Sequence, residues 1–127
     1  MSEQKLKDAI TALRNELERT NRHGHLRAAP KSALAKTEAA LPLPRDLIEF
    51  YRLANPVNVE LPWVAEWLML YSVERLEASQ EGYRFESGKP EELAPGWNPD
   101  WIVIGDASAD PIIVDARSPE APVLVAI

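Results

Sequence analysis

Three carboxylates fall close together in the stretch GDASADPIIVD: Asp106, Asp110 and Asp115. Oxygen donors at this density are what a calcium loop or a small metal-dependent hydrolase would use. A calcium loop opening at Asp106 needs oxygen ligands at positions one, three and five, glycine at six and glutamate at twelve. Ser108 and Asp110 fill the third and fifth places, but Pro111 is sixth and Arg117 twelfth, so the pattern fails. Turn carboxylates that bond their own backbone are the plainer expectation. His23 and His25 are the only histidines. A spacing of two sets them about 200° apart on a helix, so one helical face cannot offer both to a metal. The chain has no cysteine, which removes a thiolate zinc site, a disulfide framework and a cysteine nucleophile. No G-x-S-x-G elbow appears, and the five glycines are scattered, so no loop cradles phosphate. The residues point away from catalysis, and no cofactor or metal is expected.

Tryptophan and charge are more informative. The four tryptophans, Trp63, Trp67, Trp97 and Trp101, cluster in the middle of the chain. Trp67 and Trp101 open apolar runs and are expected in the core. Trp63 and Trp97 follow Pro62 and Gly96, which suggests loops. Residues 1–31 carry a net charge of +3 and residues 32–127 a net of −9. An acidic body repels phosphate backbones and attracts basic proteins, so a protein partner is expected and nucleic acid is not. No apolar run reaches membrane-spanning length. The opening MSEQKLKDAI has neither an uninterrupted apolar segment nor a small-residue cleavage site, and the expected compartment is the cytoplasm.

The elements that must position these residues can be read from periodicity. Leu6, Ile10, Leu13 and Leu17 form one helical stripe that should stop near Asn21–Gly24. A shorter helix is expected over Ser32–Ala40. In LPLPRDLIEFYRLANP, Pro44 suits the first helical position and Asp46 the first turn. Leu43, Leu47, Phe50 and Ala54 then make a buried stripe, with Ile48 and Tyr51 beside it. Pro56 and Pro62 mark a loop, WLMLY (Trp67–Tyr71) is short enough for a strand, and Ser72 can cap a helix whose face holds Val73, Leu76, Gln80 and Tyr83. Residues 86–100 are rich in proline, glycine and charge and read as a long loop. Strands are expected at Trp101–Ile104, Ile112–Val114 and Val123–Ile127. Their connections are too short for crossover helices, so the sheet should be antiparallel. The fold class is α+β, with N-terminal helices packed on a mainly antiparallel meander. At 127 residues the chain is expected to be one domain, with a helix and loop over 1–29 and the core over 30–127. Leu47, Phe50, Leu70, Ile102, Ile104 and Val114 should meet in that core.

The order of these motifs resembles the SUKH superfamily, which includes Smi/Knr-type cell-wall regulators. LPLPRDLIEFYRLAN is similar to the family's Leu-Pro stretch and aromatic-rich helix. WIVIGDASADPIIVD is similar to its tryptophan, apolar strand, Ile-Gly, turn, Asp and second strand ending on Asp, with Trp101, Gly105, Asp110 and Asp115 as the matching residues. APVLVAI resembles its next strand. The resemblance covers roughly residues 34–127. It departs at Asn55-Pro56-Val57, where the family has Asn-Gly-Gly, and at Ala109, where it has glycine. The family also continues into a closing helix, whereas this chain ends at Ile127.

What the resemblance implies is a non-catalytic protein-binding domain. Many bacterial members are immunity proteins that neutralise polymorphic toxins, often nucleases, by binding them; fungal members are regulatory hubs. A toxin-neutralising protein with a basic partner is the first expectation. A regulatory adaptor of the same fold is an alternative, and a small hydrolase using Asp106, Asp110 and Asp115 a third. The partner surface is expected at one sheet end, formed by the 57–66 loop, the 86–100 loop and the 105–111 turn. Its candidate residues are Trp63, Trp97, Glu91, Glu92, Asp106 and Asp110.

Overall fold

The structure is a computed structural model and describes residues 3–20, 24–63, 66–89, 91–108, 110–117 and 123–125. Helix α1 (Glu3–Arg19) carries the expected stripe: Ile10 and Leu17 are buried, with Leu6 and Leu13 packed beside them. A short strand β1 (His25–Arg27) follows, so His25 lies half-buried in a strand rather than in an exposed loop. His23 is outside the described residues. Helices α2 (Lys31–Ala40) and α3 (Arg45–Ala54) come next, each with a proline at its N-cap position. Pro44 thus stands one residue before the first helical position expected for it, and its carbonyl accepts the Ile48 N–H at 3.0 Å to open the helix.

Pro56 and Pro62 do not mark a loop. Pro56 lies in β2 (Asn55–Val57), antiparallel to β1, and Pro62 lies in β3 (Val59–Trp63). Strand β3 is the outer strand of its sheet, and an edge tolerates proline because one side of its backbone needs no ladder partner. Strand β4 (Glu66–Leu70) pairs with β3, and the sheet continues through β5 (Trp101–Ala107), β6 (Asp110–Asp115) and β7 (Val123–Val125). The order β3-β4-β5-β6-β7 is an antiparallel meander, as expected for this α+β class. Ala126 and Ile127, expected to extend β7, are outside the described residues. Gly105 is required by contact: a Cβ there would lie 2.2 Å from the Met69 carbonyl oxygen on the neighbouring strand.

Between β4 and β5 the chain forms one helical turn, α4 (Val73–Leu76), then a 3-10 turn (Ala78–Gln80). Val73, Leu76 and Gln80 are buried as one face, although the helix is shorter than the sequence suggested. Ser72 occupies the N-cap position without a capping side chain. Asn55 supplies the cap, its Oδ1 accepting the Val73 N–H at 2.7 Å.

Two apolar clusters replace the single core expected. Leu47, Tyr51, Leu76, Ile102, Val103, Ile113 and Val114 make the larger one, where the helices meet β5 and β6. Ile10, Leu17, Leu26, Ala54, Val59 and Leu61 make the second, under α1, with Leu70 packed against it. Phe50 is half-buried and touches both, while its neighbour Tyr51 is 1 % exposed. Trp67 is no core residue either: it is 45 % exposed. Strand alternation turns Leu68 and Leu70 toward the α1 cluster and leaves Trp67 on the opposite face. No helix among the described residues is long and apolar enough to cross a membrane.

Candidate protein-binding surface

The strand register separates the residues expected to share one surface. Trp63 pairs with Glu66 and Ala107 with Asp110, so the β3–β4 and β5–β6 turns lie at one end of the sheet. Trp101 pairs with Asp115 at the other end, where residues 86–100 enter β5. Seven residues of strand put the two ends about 20 Å apart. Trp63, Asp106 and Asp110 therefore belong to one end, and Glu91, Glu92 and Trp97 to the other.

At the turn end, Asp106 accepts a hydrogen bond from the Tyr71 hydroxyl at 2.8 Å. Burial, helped by that bond, pushes the Tyr71 phenol well above its usual range. Asp110 is half-buried at the start of β6. The side chain of Trp63 is outside the described residues. Asp115 lies at the far end of β6, about 17 Å of strand from Asp110. It is buried and engaged by Arg117, whose Nε donates to Oδ1 at 2.9 Å and whose backbone N–H donates to Oδ1 at 3.0 Å. Hydrogen bonding from the Arg117 side chain holds the Asp115 carboxyl below the usual carboxylate range. The three aspartates thus do not converge, and no group of three or more His, Asp or Glu among the described residues could hold a metal.

At the other end the 86–100 segment is a loop, as expected, but an ordered one. The Ala94 N–H donates to the Arg84 carbonyl at 2.7 Å, and Arg84 Nη1 donates to the carbonyls of Pro99 at 2.8 Å and Trp101 at 3.2 Å. Burial lowers the Arg84 pKa from the ordinary guanidinium range. Trp97 is a brace for this loop. Its indole N–H donates to the Trp101 carbonyl at 3.0 Å, and its ring meets Trp101 edge-on at 5.8 Å and leans on Tyr83 at 6.3 Å.

This bracing shapes a groove of about 690 Å³. Its apolar lining comes from Phe85, Leu93 and Pro99, with Ala39 and Ala40 from the end of α2. Glu77, Glu91 and Glu92 stand around it, and Arg84 is the lone cation among the described lining residues. Leu93 is 43 % exposed, and with Trp67 it is one of two large exposed hydrophobics among the described residues. Glu91 and Glu92 were legible as a charged loop pair. Glu77, Phe85 and the α2 alanines were not, because no local pattern links segments so far apart in sequence.

No curated protein matches the chain. No solved structure matches it either. Residues 28–125 do match the profile of the SMI1 / KNR4 family (SUKH-1). The match takes in α2, α3 and the whole meander, and leaves α1 and β1 before it. With the α+β architecture and more than half of its length matched, the chain belongs to the SMI1 / KNR4 family (SUKH-1).

Proposed function

We propose that the chain acts as a non-catalytic protein-binding domain over residues 1–127, and that it is an immunity protein neutralising a basic toxin domain by direct contact in the cytoplasm. The observation that carries this reading is the state of the groove carboxylates. Glu77, Glu91 and Glu92 form no ion pair or side-chain hydrogen bond with any described residue, although they stand together around a concave, partly apolar surface. Exposed carboxylates without partners contribute little to a fold. They do raise the encounter rate with a cationic protein. The net charge of −6 works in the same direction over longer range. Membership of the SMI1 / KNR4 family supports protein binding as the mode of action.

Within this reading Glu91 and Glu92 contact the partner and Trp97 holds their loop from behind. Trp63, Asp106 and Asp110, at the other sheet end, belong to a separate surface.

The test is to identify a toxic product of the adjoining genes and co-express its toxin domain with this chain. Protection of the host and recovery of a stoichiometric complex are expected. Survival no better than with the toxin alone, with no complex on gel filtration, would remove the immunity reading.

A further inference from the structure

We propose that the groove between the end of α2 and the 86–100 loop takes an extended basic segment of the partner, one presenting an arginine or lysine beside an aliphatic side chain. This deepens, and rests on, the protein-binding reading above. The lining sorts into two chemistries. Phe85, Leu93 and Pro99 offer an apolar floor, and Leu93 at 43 % exposure is a site where covering by an aliphatic side chain removes apolar area from water. Glu77, Glu91 and Glu92 offer three carboxylates against one guanidinium. That guanidinium, Arg84, is already tied to the Pro99 and Trp101 carbonyls, so it does not neutralise the rim.

A second source of negative potential comes from α2. Its ten residues end at Ala40, which lines the groove, and no basic side chain stands in its last turn. The C-terminal pole of a helix carries partial negative charge and favours a cation. Carboxylates and helix pole together disfavour an anionic ligand such as phosphate. The volume of about 690 Å³ falls within the range of clefts that hold small ligands, and so suits a few residues of chain rather than a whole domain face.

The probe is the peptide Gly-Arg-Leu-Arg-Gly, blocked at both ends, titrated into the full chain and followed by amide chemical shifts. Shifts centred on Glu77, Arg84, Phe85 and Glu91 to Leu93 are expected. The dissociation constant should rise about tenfold or more in Glu91→Lys/Glu92→Lys. It should rise about threefold or more in Leu93→Ser. Both changes are at exposed positions, and an unchanged spectrum outside the groove confirms that each variant folds. Equal binding of Gly-Glu-Leu-Glu-Gly, shifts centred elsewhere, no binding at millimolar peptide, or indifference to both variants would each overturn the proposal. If the peptide binds here but no toxin domain from the adjoining genes forms a complex, the immunity reading fails alone. If the toxin complex forms and neither variant weakens it, this inference fails alone.

Discussion

Gln80 and Glu77 are one helical turn apart and are used in opposite ways. Gln80 is fully buried, and its amide takes the place of a strand: Oε1 accepts the Val103 N–H at 3.0 Å and Nε2 donates to the Val103 carbonyl at 2.8 Å. The β4–β5 ladder reaches Gly105, so without Gln80 the Val103 N–H and carbonyl would be buried and unpaired. Asn55 acts alike, capping α4 at Val73 and donating to Glu74 at 2.7 Å. The Glu77 carboxylate, by contrast, is exposed on the groove with those of Glu91 and Glu92 and engages no described residue. The Gln80 and Asn55 amides are hydrogen-bonded into the fold. The outer carboxylates are left for something else. Substitutions should separate the two regions cleanly.

The largest effect is expected at Gln80. Gln80→Leu keeps the bulk but strands the Val103 N–H and carbonyl in the core, which should cost about 3 kcal/mol in urea unfolding. A loss below about 1 kcal/mol would mean that the β5 edge is sealed by other means. Asn55→Ala removes the α4 cap and should cost about 2 kcal/mol by the same measurement. Trp97→Phe keeps an aromatic ring but loses the indole hydrogen bond and part of the packing on Tyr83 and Trp101, for about 1.5 kcal/mol. Leu93→Ser, at the exposed groove leucine, should stay within about 0.5 kcal/mol. If these two changed places, the division between brace and surface would be reversed.

Asp115 is the paired counterpart of the groove carboxylates and gives the comparison a pH axis. Hydrogen bonds from Arg117 depress its folded pKa, so its contribution is complete above the unfolded carboxylate pKa of about 4. It is lost as pH falls through the lower folded value. Urea midpoints of the wild type and Asp115→Asn should therefore differ near neutrality and converge in acid. Parallel curves at every pH would show that the Arg117 contact does not stabilise the fold.

Much of this architecture was legible in the sequence where one face of an element repeats. The leucine stripe of α1, the α3 helix and the β5–β6 hairpin all followed from spacing and turn residues. Pro56 and Pro62 misled because the sequence cannot say that one strand will pair only with β1 and the other will lie at a sheet edge. Trp67 misled because WLMLY is apolar throughout and hides its alternation. Val73, Leu76 and Gln80 were expected on one face, yet nothing in that spacing says that the Gln80 amide meets Val103. The groove was hidden for the same reason: α2, the turn after α4 and the long loop meet only in three dimensions. Family resemblance was carried by Trp101 to Asp115 and by the helix after Pro44, both inside the matched residues 28–125.

The central claim is that the groove carboxylates serve a partner and not the fold. It is tested most directly by stopped-flow association of the toxin domain with wild type and Glu91→Lys/Glu92→Lys across a salt series. Unfolding of the double variant should match wild type within about 0.5 kcal/mol. Wild-type association should slow as salt rises, and the double variant should associate more slowly with a flatter salt dependence. Equal rates and equal salt slopes in the two proteins would contradict the account.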